Sequence, residues 1–510
     1  MKKIYGFAFA SAAMMLASCS SDEPINNGNQ IAEGNQYMAL SILGGNGTRA
    51  IGGYDDNKLK DGEGDVSSVT VLLFDNNGNQ TQAPQRLTPN FTASDETGIE
   101  KVSEAVIVVE NGAEIPSQIM VICNEPEASA NYTQIVKNNT LTDVQAIAKN
   151  FNYATKGAFV MSNAQTANGP VATPITDANI KTSESEAKAS PVEVYVERVL
   201  ARVDVTVQDG GVDVSNNKIT MADGTEQTLT VKINGLGLSY IPTESNLIKN
   251  VGTQIFDWAL DTHRYDWAST NLSWNSNTNY GNFDMMNWYE YDANGWNSIY
   301  VQENTSNAMT ETKKTTMLLL AATLGVGEGD NFKSISLASL RGGYYTEENA
   351  LGKLAEFLYN AGFKAEDGAS LNPSVLSWVS STDREDLGNR YTTYAVVAAD
   401  TKLHGEKTVA EANEYLKSSM NQVKLWKDGA TYYYIPVEHN VNEGVTYNGI
   451  VRNFIYDYEI NTIKGLGTPV VYPGDDIIPE DPEPDNDYKI AAQVKTLKWK
   501  VVKKHGNFGK

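Results

Sequence analysis

Residues that could carry catalysis or hold a metal ion are few in this sequence and form no recognised motif. The four histidines, His263, His404, His439 and His505, are too far apart for a zinc motif such as HExxH. The glycine-rich turn at 325–329 lacks the Lys-Ser/Thr pair that a phosphate-binding loop requires. No GxSxG motif is present, and no spacing pairs two of the many carboxylates. The sequence therefore predicts a protein that is not an enzyme and has no catalytic residue, cofactor or metal site.

The thiol of Cys19 has the clearest predicted chemistry. Two lysines precede an apolar stretch, residues 4–16, which is too short to cross a bilayer as a helix. Small residues then lead to Cys19, in the order of a bacterial lipobox, where the signal peptide 1–18 is removed and the cysteine is lipidated. The two acidic residues that follow Ser20 and Ser21 resemble the surface-export signals of Bacteroidota lipoproteins.

The first strand pattern of the chain follows a polar tether. Tyr37 opens a run in which Met38, Leu40 and Ile42 alternate with small residues. Since successive side chains of a strand point to opposite faces, these three lie on one face. The run therefore predicts a half-buried strand.

A single basic residue marks the loop after this strand. Arg49 is the only Lys or Arg between Cys19 and Lys58, and it stands in a Gly- and Asn-rich stretch before Ala50. Exposed loops of this composition are the preferred sites of proteolytic cleavage, so a trypsin-like protease would cut after Arg49. From this position alone, Arg49 could equally be a solvated loop charge.

Length and charge predict a globular protein that does not bind nucleic acid. The chain has 510 residues, 41% of them hydrophobic, and a net charge of −23, which phosphate backbones would repel. Its two cysteines, Cys19 and Cys123, exclude a disulfide framework. Packed cores must therefore supply the stability, and this length is enough for two or three domains.

The body of the chain reads as short strands joined by turns. Runs rich in β-branched and aromatic residues recur between Gly, Asn and Asp clusters. We expect a mostly β protein with two tandem antiparallel β-sandwich domains, residues 50–207 and 208–472, and a few short helices. The long alternating run Pro191–Val207 is assigned to the first domain. Leucines at helical spacing predict a helix over Glu347–Phe363.

The chain ends in a basic strand on an acidic tether. Residues 473–487 (PGDDIIPEDPEPDND) are proline-rich and self-repelling, so they form an extended linker that would hold the strand away from the body. Residues 488–510 contain seven lysines and no acidic residue, so this tail has a charge of +7. Because the whole chain has a net charge of −23, residues 1–487 carry −30. A basic strand held in this way is predicted to bind an acidic partner.

The apolar residues of this tail fall into two groups of opposite parity. The first group contains Ile490 and Val494, and the second contains Leu497, Trp499 and Val501. The face of the strand therefore changes near residues 495–496, which predicts a bulge between two pairing segments. We expect the second segment, around Trp499, to anchor the strand to its partner.

Three further sequence blocks resemble blocks of one bacterial protein family. They are VYVERVLARV at 194–203, YVQENT at 300–305 and GIVRNFIYDYEINTIKGLG at 449–467. Together with the lipobox and the early strand, they resemble the fimbrillins, the type V pilins of Bacteroidota. The terminal strand and its acidic spacer resemble the shaft subunit of the minor (short) fimbria in particular. The lysine-rich extension 503–510 and Phe454, where relatives commonly have histidine, depart from the family pattern.

The resemblance implies a transthyretin-like form of the two sandwiches and a route of assembly. The precursor would be anchored in the outer membrane through Cys19, which would carry palmitate, and the protease would then remove residues 19–49. Loss of the early strand would open a groove, and residues 488–510 of another copy would fill it by donor-strand exchange. The implied product is a surface fimbrium that supports adhesion, biofilm formation and virulence.

The resemblance also implies the partners. These are other copies of the chain, accessory anchor and tip subunits of the pilus, the trypsin-like maturation protease, and host or bacterial surface receptors. A tip subunit needs no donor strand, whereas an anchor subunit keeps its lipid and resists cleavage. The strand 488–510 and the site at Arg49 therefore favour a shaft subunit over both.

A glycan-binding function is the alternative from a different class. Five of the eight tryptophans lie in residues 258–296, among polar loops. Aromatic rings there could stack on sugars, which would make the chain a monomeric surface glycan-binding lipoprotein, or they could form a local core under long loops.

Overall fold

The structure is a computed structural model. It describes residues 36–45, 60, 62–88, 90–93, 99–110, 114–129, 132–149, 154–155, 158–164, 170–207, 212–213, 217–239, 241, 245–249, 289–290, 297–304, 316–380, 392–419, 423–442, 445–470, 489–494 and 504–505.

Short β-strands make up most of the regular structure, as the turn-rich sequence predicts. The strands up to residue 198 are β1 (Gln36–Gly45), β2 (Val69–Phe74), β3 (Gln85–Leu87), β4 (Thr92–Ala93), β5 (Ile99–Val109), β6 (Gln118–Cys123), β7 (Ala148–Lys149), β8 (Ala154–Thr155), β9 (Ala158–Phe159), β10 (Met161–Asn163), β11 (Thr173–Pro174), β12 (Ile180–Lys181) and β13 (Val192–Arg198).

The strands after residue 199 are β14 (Leu200–Val207), β15 (Val212–Asp213), β16 (Lys218–Thr220), β17 (Glu226–Ser239), β18 (Ser245–Asn246), β19 (Tyr289–Glu290), β20 (Asn297–Gln302), β21 (Met317–Val326), β22 (Lys333–Ser334), β23 (Leu337–Leu340), β24 (Gly343–Thr346), β25 (Leu376–Ser380), β26 (Thr392–Val397), β27 (Val423–Trp426), β28 (Ala430–Pro436), β29 (Glu438–Asn442), β30 (Val445–Asn448), β31 (Ile455–Lys464), β32 (Thr468–Pro469), β33 (Lys489–Val494) and β34 (Lys504–His505). The mostly β, sheet-rich prediction is confirmed.

Helices are few and short. They are α1 (Leu141–Gln145), α2 (Glu184–Lys188), α3 (Glu347–Asn360) and α4 (Val409–Ser419). The predicted helix beginning at Glu347 is confirmed: Thr346 caps it, and Leu354 and Leu358 on its apolar face are fully buried. Within the described ranges, no helix is both long and apolar enough to cross a membrane.

The first sheet is built from strands that precede residue 199. Its order is β3-β2-β6-β10-β13-β1-β5-β4, with β11 beside β6 and β12 beside β1. Alternate residues of these strands, such as Val71, Val121 and Val194, share one buried apolar core. The early strand therefore lies inside the sheet and has a neighbour on each side.

Two further sheets use the later strands. One has the order β20-β14-β31-β33-β34, and the other runs β25-β26-β27-β23-β24-β16-β17-β21-β28-β32. Their shared core includes Val203, Leu320 and Tyr456. A separate core, which includes Leu354 and Leu416, packs α3 and α4 against one end of the larger sheet.

The predicted run Pro191–Val207 is divided between two sheets. β13 pairs with β1 and β10, whereas β14 pairs with β20 and β31. The change of sheet falls at Val199, earlier in the chain than the boundary expected after residue 207. The alternating pattern could not reveal it, because both halves alternate in the same way and both are buried.

Candidate assembly site: the β1 slot

β1 occupies a slot between two long strands. It runs parallel to β13 from Leu40, opposite Val192, to Gly44, and antiparallel to β5 over its whole length. The short strand β12 continues the β13 side next to Tyr37 and Met38. Both backbone edges of β1 are therefore hydrogen-bonded to neighbours, which is the position of a central strand.

The inner face of the slot is apolar. Met38, Leu40 and Ile42 are 0% exposed and belong to the core of the first sheet. The predicted strand and its apolar face are thus present. Burial of three such side chains is worth about 1.5–3 kcal/mol each, so this short segment contributes much of the stability of its sheet.

The outer face of β1 is also buried, so the prediction of a half-buried strand is wrong. Ala39 is 2% exposed and Ser41 is 8% exposed. Helix α2 lies against β1, and its Ala187 is fully buried. Because the core side of β1 is filled by the strand cluster, α2 lies on the opposite side of β1.

Two carboxylates flank the outer face of the slot. Ser41 lies opposite Glu104 of β5 and opposite Glu193 of β13. Both glutamates are exposed. A residue at the position of Ser41 is therefore placed between two negative charges, which favours a hydrogen-bond donor there.

The predicted donor strand lies on the edge of its own chain's sheet. β33 pairs antiparallel with β31, where Ile490 lies opposite Ile463 and Val494 lies opposite Tyr458. On its other side, within the described residues, β33 pairs with the short strand β34. The prediction that this segment is held away from the body is wrong for these residues. The reason is physical: without β33, β31 would present an unpaired edge.

The remaining predicted site residues lie outside the described residues. They are Cys19, Arg49, Ala50, Leu497, Trp499 and Val501, and the five tryptophans of the glycan-binding alternative lie there as well.

The sequence blocks that resemble the family meet at one buried junction. Glu197 and Arg198 come from the 194–203 block, Glu303 from the 300–305 block, and Arg452 and Asn453 from the 449–467 block. Arg452 Nε lies 3.0 Å from Glu303 Oε2, and Arg198 Nη1 donates to Asn453 Oδ1 at 3.3 Å. These side chains are almost fully buried. Removing one partner of the Arg452–Glu303 ion pair would therefore leave a buried charge without its counter-ion, which strongly destabilises a fold.

Sequence reasoning missed Glu63, the centre of this junction. Arg202 Nη1 donates to both Glu63 carboxylate oxygens, at 2.5 and 2.7 Å, and the Tyr300 hydroxyl donates to Oε1 at 2.5 Å. Burial opposes a charged Arg202, but Asp204 and Glu63 together raise its pKa. Burial and the Glu63 carboxylate raise the pKa of Tyr300. No motif surrounds Glu63 in the sequence, so only the fold reveals its partners.

Cys123 and the metal-binding residue types show no reactive arrangement. Cys123 is 0% exposed, and burial raises the pKa of its thiol to about 12, so it is a protonated core residue at neutral pH. Where the chain is described, no group of three or more His, Cys, Asp and Glu side chains is placed to hold a metal ion.

Comparison with solved structures finds Bacteroidales surface proteins. A candidate cell adhesion protein from Bacteroides eggerthii is 13% identical, with 92% of this chain and 98% of that chain covered and a TM-score of 0.39. The tip fimbrial protein Mfa3 from Porphyromonas gingivalis is 14% identical over 91% and 100% of the two chains, with a TM-score of 0.31. A fimbrial assembly protein from Parabacteroides distasonis is 12% identical over 58% and 83%, with a TM-score of 0.29. No curated protein matches the sequence.

Two family models match the sequence, and both describe fimbrial subunits. The model of the major fimbrial subunit protein FimA matches residues 37–222, which include β1 and its neighbours. The model of the C-terminal part of fimbrillin, the major fimbrial subunit protein type IV, matches residues 424–505, which include β31 and β33. Together they span more than half of the sequence, and the chain belongs to the fimbrillin family of fimbrial subunit proteins.

Proposed function

We propose that this protein is a shaft subunit of a cell-surface fimbria, most like that of the minor (short) fimbria, and that it polymerises by donor-strand exchange. Two tandem transthyretin-like sandwiches carry the exchange, with the acidic linker 473–487 and the strand 488–510 following them. The precursor is a lipoprotein anchored in the outer membrane through Cys19, and a trypsin-like protease cuts it between Arg49 and Ala50. The filament supports adhesion and biofilm formation.

The observation that carries the proposal is the central position of β1. A strand at the edge of a sheet leaves one new edge when it is removed, whereas β1 would leave two, on β13 and on β5. Its loss would also uncover the pockets of Met38, Leu40 and Ile42. An apolar trough with open edges on both sides requires another strand, and a second copy can supply one.

The strand β33 near the end of the chain has the properties of that supplier. It pairs with β31 over six residue pairs on one side and with β34 over two on the other, so its release uncovers one long edge, on β31. The linker before it, residues 473–487, would span about 45 Å if extended at about 3.1 Å per residue. That reach is enough for a neighbouring subunit, and the head-to-tail contact repeats without closing.

The partners follow from this arrangement. Other copies of the chain form the shaft, and anchor and tip subunits of the same fimbria bind at its two ends. The maturation protease acts at Arg49, and surface receptors bind the finished filament. The −30 body would attract the +7 tail of the next subunit and speed docking.

Polymer ladders on mild-SDS gels test the proposal. Arg49→Ala in the precursor and, separately, deletion of residues 488–510 should each abolish the ladder, because one keeps the slot filled and the other removes the strand that fills it. Lys58→Ala, in the same region of the sequence as Arg49, is the matched control and should polymerise normally. Unchanged ladders for both Arg49→Ala and the deletion would overturn the proposal.

A further inference from the structure

The two faces of the slot set separate requirements for the strand that fills it. The inner face accepts apolar side chains at the positions of Met38, Leu40 and Ile42. On the outer face, the position of Ala39 is buried, at 2% exposure, and the position of Ser41 lies between Glu104 and Glu193. The occupant therefore needs a small residue at the first outer position and a hydrogen-bond donor at the second.

We propose, on the basis of the proposed function, that residues Ile490–Val494 of the next copy enter the slot in the direction of β1, with Ile490 at the position of Met38 and Val494 at that of Ile42. In this register the five residues IAAQV take the places of MALSI, residues 38–42, in the same order. Ala491 then takes the place of Ala39, and the amide of Gln493 takes the place of Ser41.

The outer face of the slot distinguishes the proposed register from those in which the second apolar segment of the tail, residues 497–501, fills the slot. In the second apolar segment, LKWKV at 497–501, Lys498 would take the position of Ala39, which is buried. A lysine there would be overpacked and desolvated. The same segment in the opposite direction would place Lys500 at that buried position. In Ile490–Val494 the residue at this position is alanine, as it is in β1.

The position of Ser41 supports the same register. Gln493 carries an amide group with two N–H donors, and the glutamates on either side of it offer acceptors from both neighbouring strands. Ala491 would occupy this place if the segment ran in the opposite direction, and its methyl group offers no donor to either carboxylate. Charge and size on the outer face therefore select one segment and one direction.

A local irregularity of the slot also agrees with this register. The pairing of β1 with β5 shifts between Gly44 and Gly45, where β5 contains an extra residue. In the proposed register Thr496 falls at the position of Gly44, and the apolar parity of the tail changes at residues 495–496. The bend in the tail would therefore meet the bulge in the slot. Trp499 would lie beyond the end of β1 and outside the slot.

Disulfide trapping in assembled filaments tests the register. Glu104→Cys combined with Gln493→Cys should give a covalent ladder on oxidation, because directly opposed strand residues have Cβ atoms about 4.5–5.5 Å apart. Glu104→Cys combined with Lys500→Cys or with Lys498→Cys serves as the matched control for the second segment and should stay monomeric after denaturation. A covalent ladder with Lys500→Cys or Lys498→Cys, or no ladder with Gln493→Cys, would overturn the register.

Two neighbouring alanines provide a second test. Ala491→Leu should reduce polymer yield by about tenfold, because the larger side chain would overpack the buried position of Ala39. Ala492→Leu restores the leucine that β1 places in the same pocket, so its polymers should form at least as well as those of the unchanged chain. Equal yields for the two variants would also contradict the proposal.

Thermal unfolding of the monomers checks that both variants fold, since these alanines pair with Thr462 and Ile460 in their own chain. The failure of the register and the failure of the proposed function give different results. Filaments that form but cross-link through the second segment leave donor-strand exchange intact. Filaments that still assemble after deletion of residues 488–510 would exclude donor-strand exchange itself.

Discussion

Glu63 and Arg202, 139 positions apart in the sequence, form a buried ion pair in which one guanidinium nitrogen contacts both carboxylate oxygens. The side chains are 1% and 0% exposed. Glu63 follows the predicted cleavage site in the sequence. Arg202 lies on β14, in the sheet that also contains β20 and β31. This pair therefore ties the segment before β2 to the junction and, in the proposed maturation, would keep it in place when β1 is removed.

Loss of the Glu63 charge should destabilise the whole junction. We expect Glu63→Gln to lower the free energy of unfolding by about 3–5 kcal/mol, because it removes one of the two carboxylates, Glu63 and Asp204, that pair with the buried Arg202 guanidinium. Urea denaturation of the purified protein measures this change. Glu356→Gln is the control: its pair with Lys353 is exposed, so the change should have a far smaller effect. Equal effects of the two substitutions would contradict a structural role for the buried pair.

Substitutions in β1 should affect the precursor and not the mature subunit. Leu40→Ala should lower the stability of the precursor by about 2–5 kcal/mol, because it creates a cavity in the core of the first sheet. After limited trypsin digestion and removal of the released peptide, the variant and the parent should melt at the same temperature. Ser41→Ala, on the outer face, should have a much smaller effect on the precursor. A difference that persists in the mature protein would mean that β1 stays bound.

The thiol of Cys123 should be inert until the protein unfolds. Burial raises its pKa to about 12 from an ordinary value near 9, so the folded protein holds the thiol proton more tightly than the unfolded chain. This contribution to stability is complete below pH 9 and is lost as the pH rises from 9 towards 12. In the mature protein at pH 8, a thiol reagent such as DTNB should react only after denaturant is added. Rapid reaction under native conditions would show that the first sheet opens readily.

Two glycines with positive φ should differ in their tolerance of alanine. A Cβ at Gly429 would lie 2.2 Å from the Leu324 carbonyl oxygen, whereas at Gly224 it would meet nothing within 4 Å. Since left-handed backbone alone costs about 1–2 kcal/mol for a residue with a side chain, Gly224→Ala should lose about that much. Gly429→Ala should lose clearly more, because β21 must also move. Thermal denaturation of the two variants compares them, and equal losses would contradict the tight packing at Gly429.

The sequence predicted the elements of the assembly site better than their arrangement. Alternation identified β1 and its apolar face, because the spacing of Met38, Leu40 and Ile42 reports one face directly. It could not report that α2 covers the other face, since small residues such as Ala39 and Ser41 are compatible with either burial or exposure. The half-buried strand of the prediction is therefore a fully enclosed one.

The sequence also could not predict which strands pair over long distances. The change of sheet at Val199 and the pairing of β33 with β31 depend on which edges are free in the folded chain. Glu63 is isolated in the sequence, and only the fold places it beside Arg202 and Tyr300. The proposed register shifts the expected anchor from the segment around Trp499 to Ile490–Val494, because a lysine would be desolvated at the buried position of Ala39.

N-terminal sequencing of the protein from purified surface filaments decides whether β1 is removed before assembly. We expect a chain that starts at Ala50, because β1 must be absent from every subunit whose slot is filled by a neighbour. A filament subunit that starts at Cys19 and still carries its lipid and residues 36–45 would contradict it.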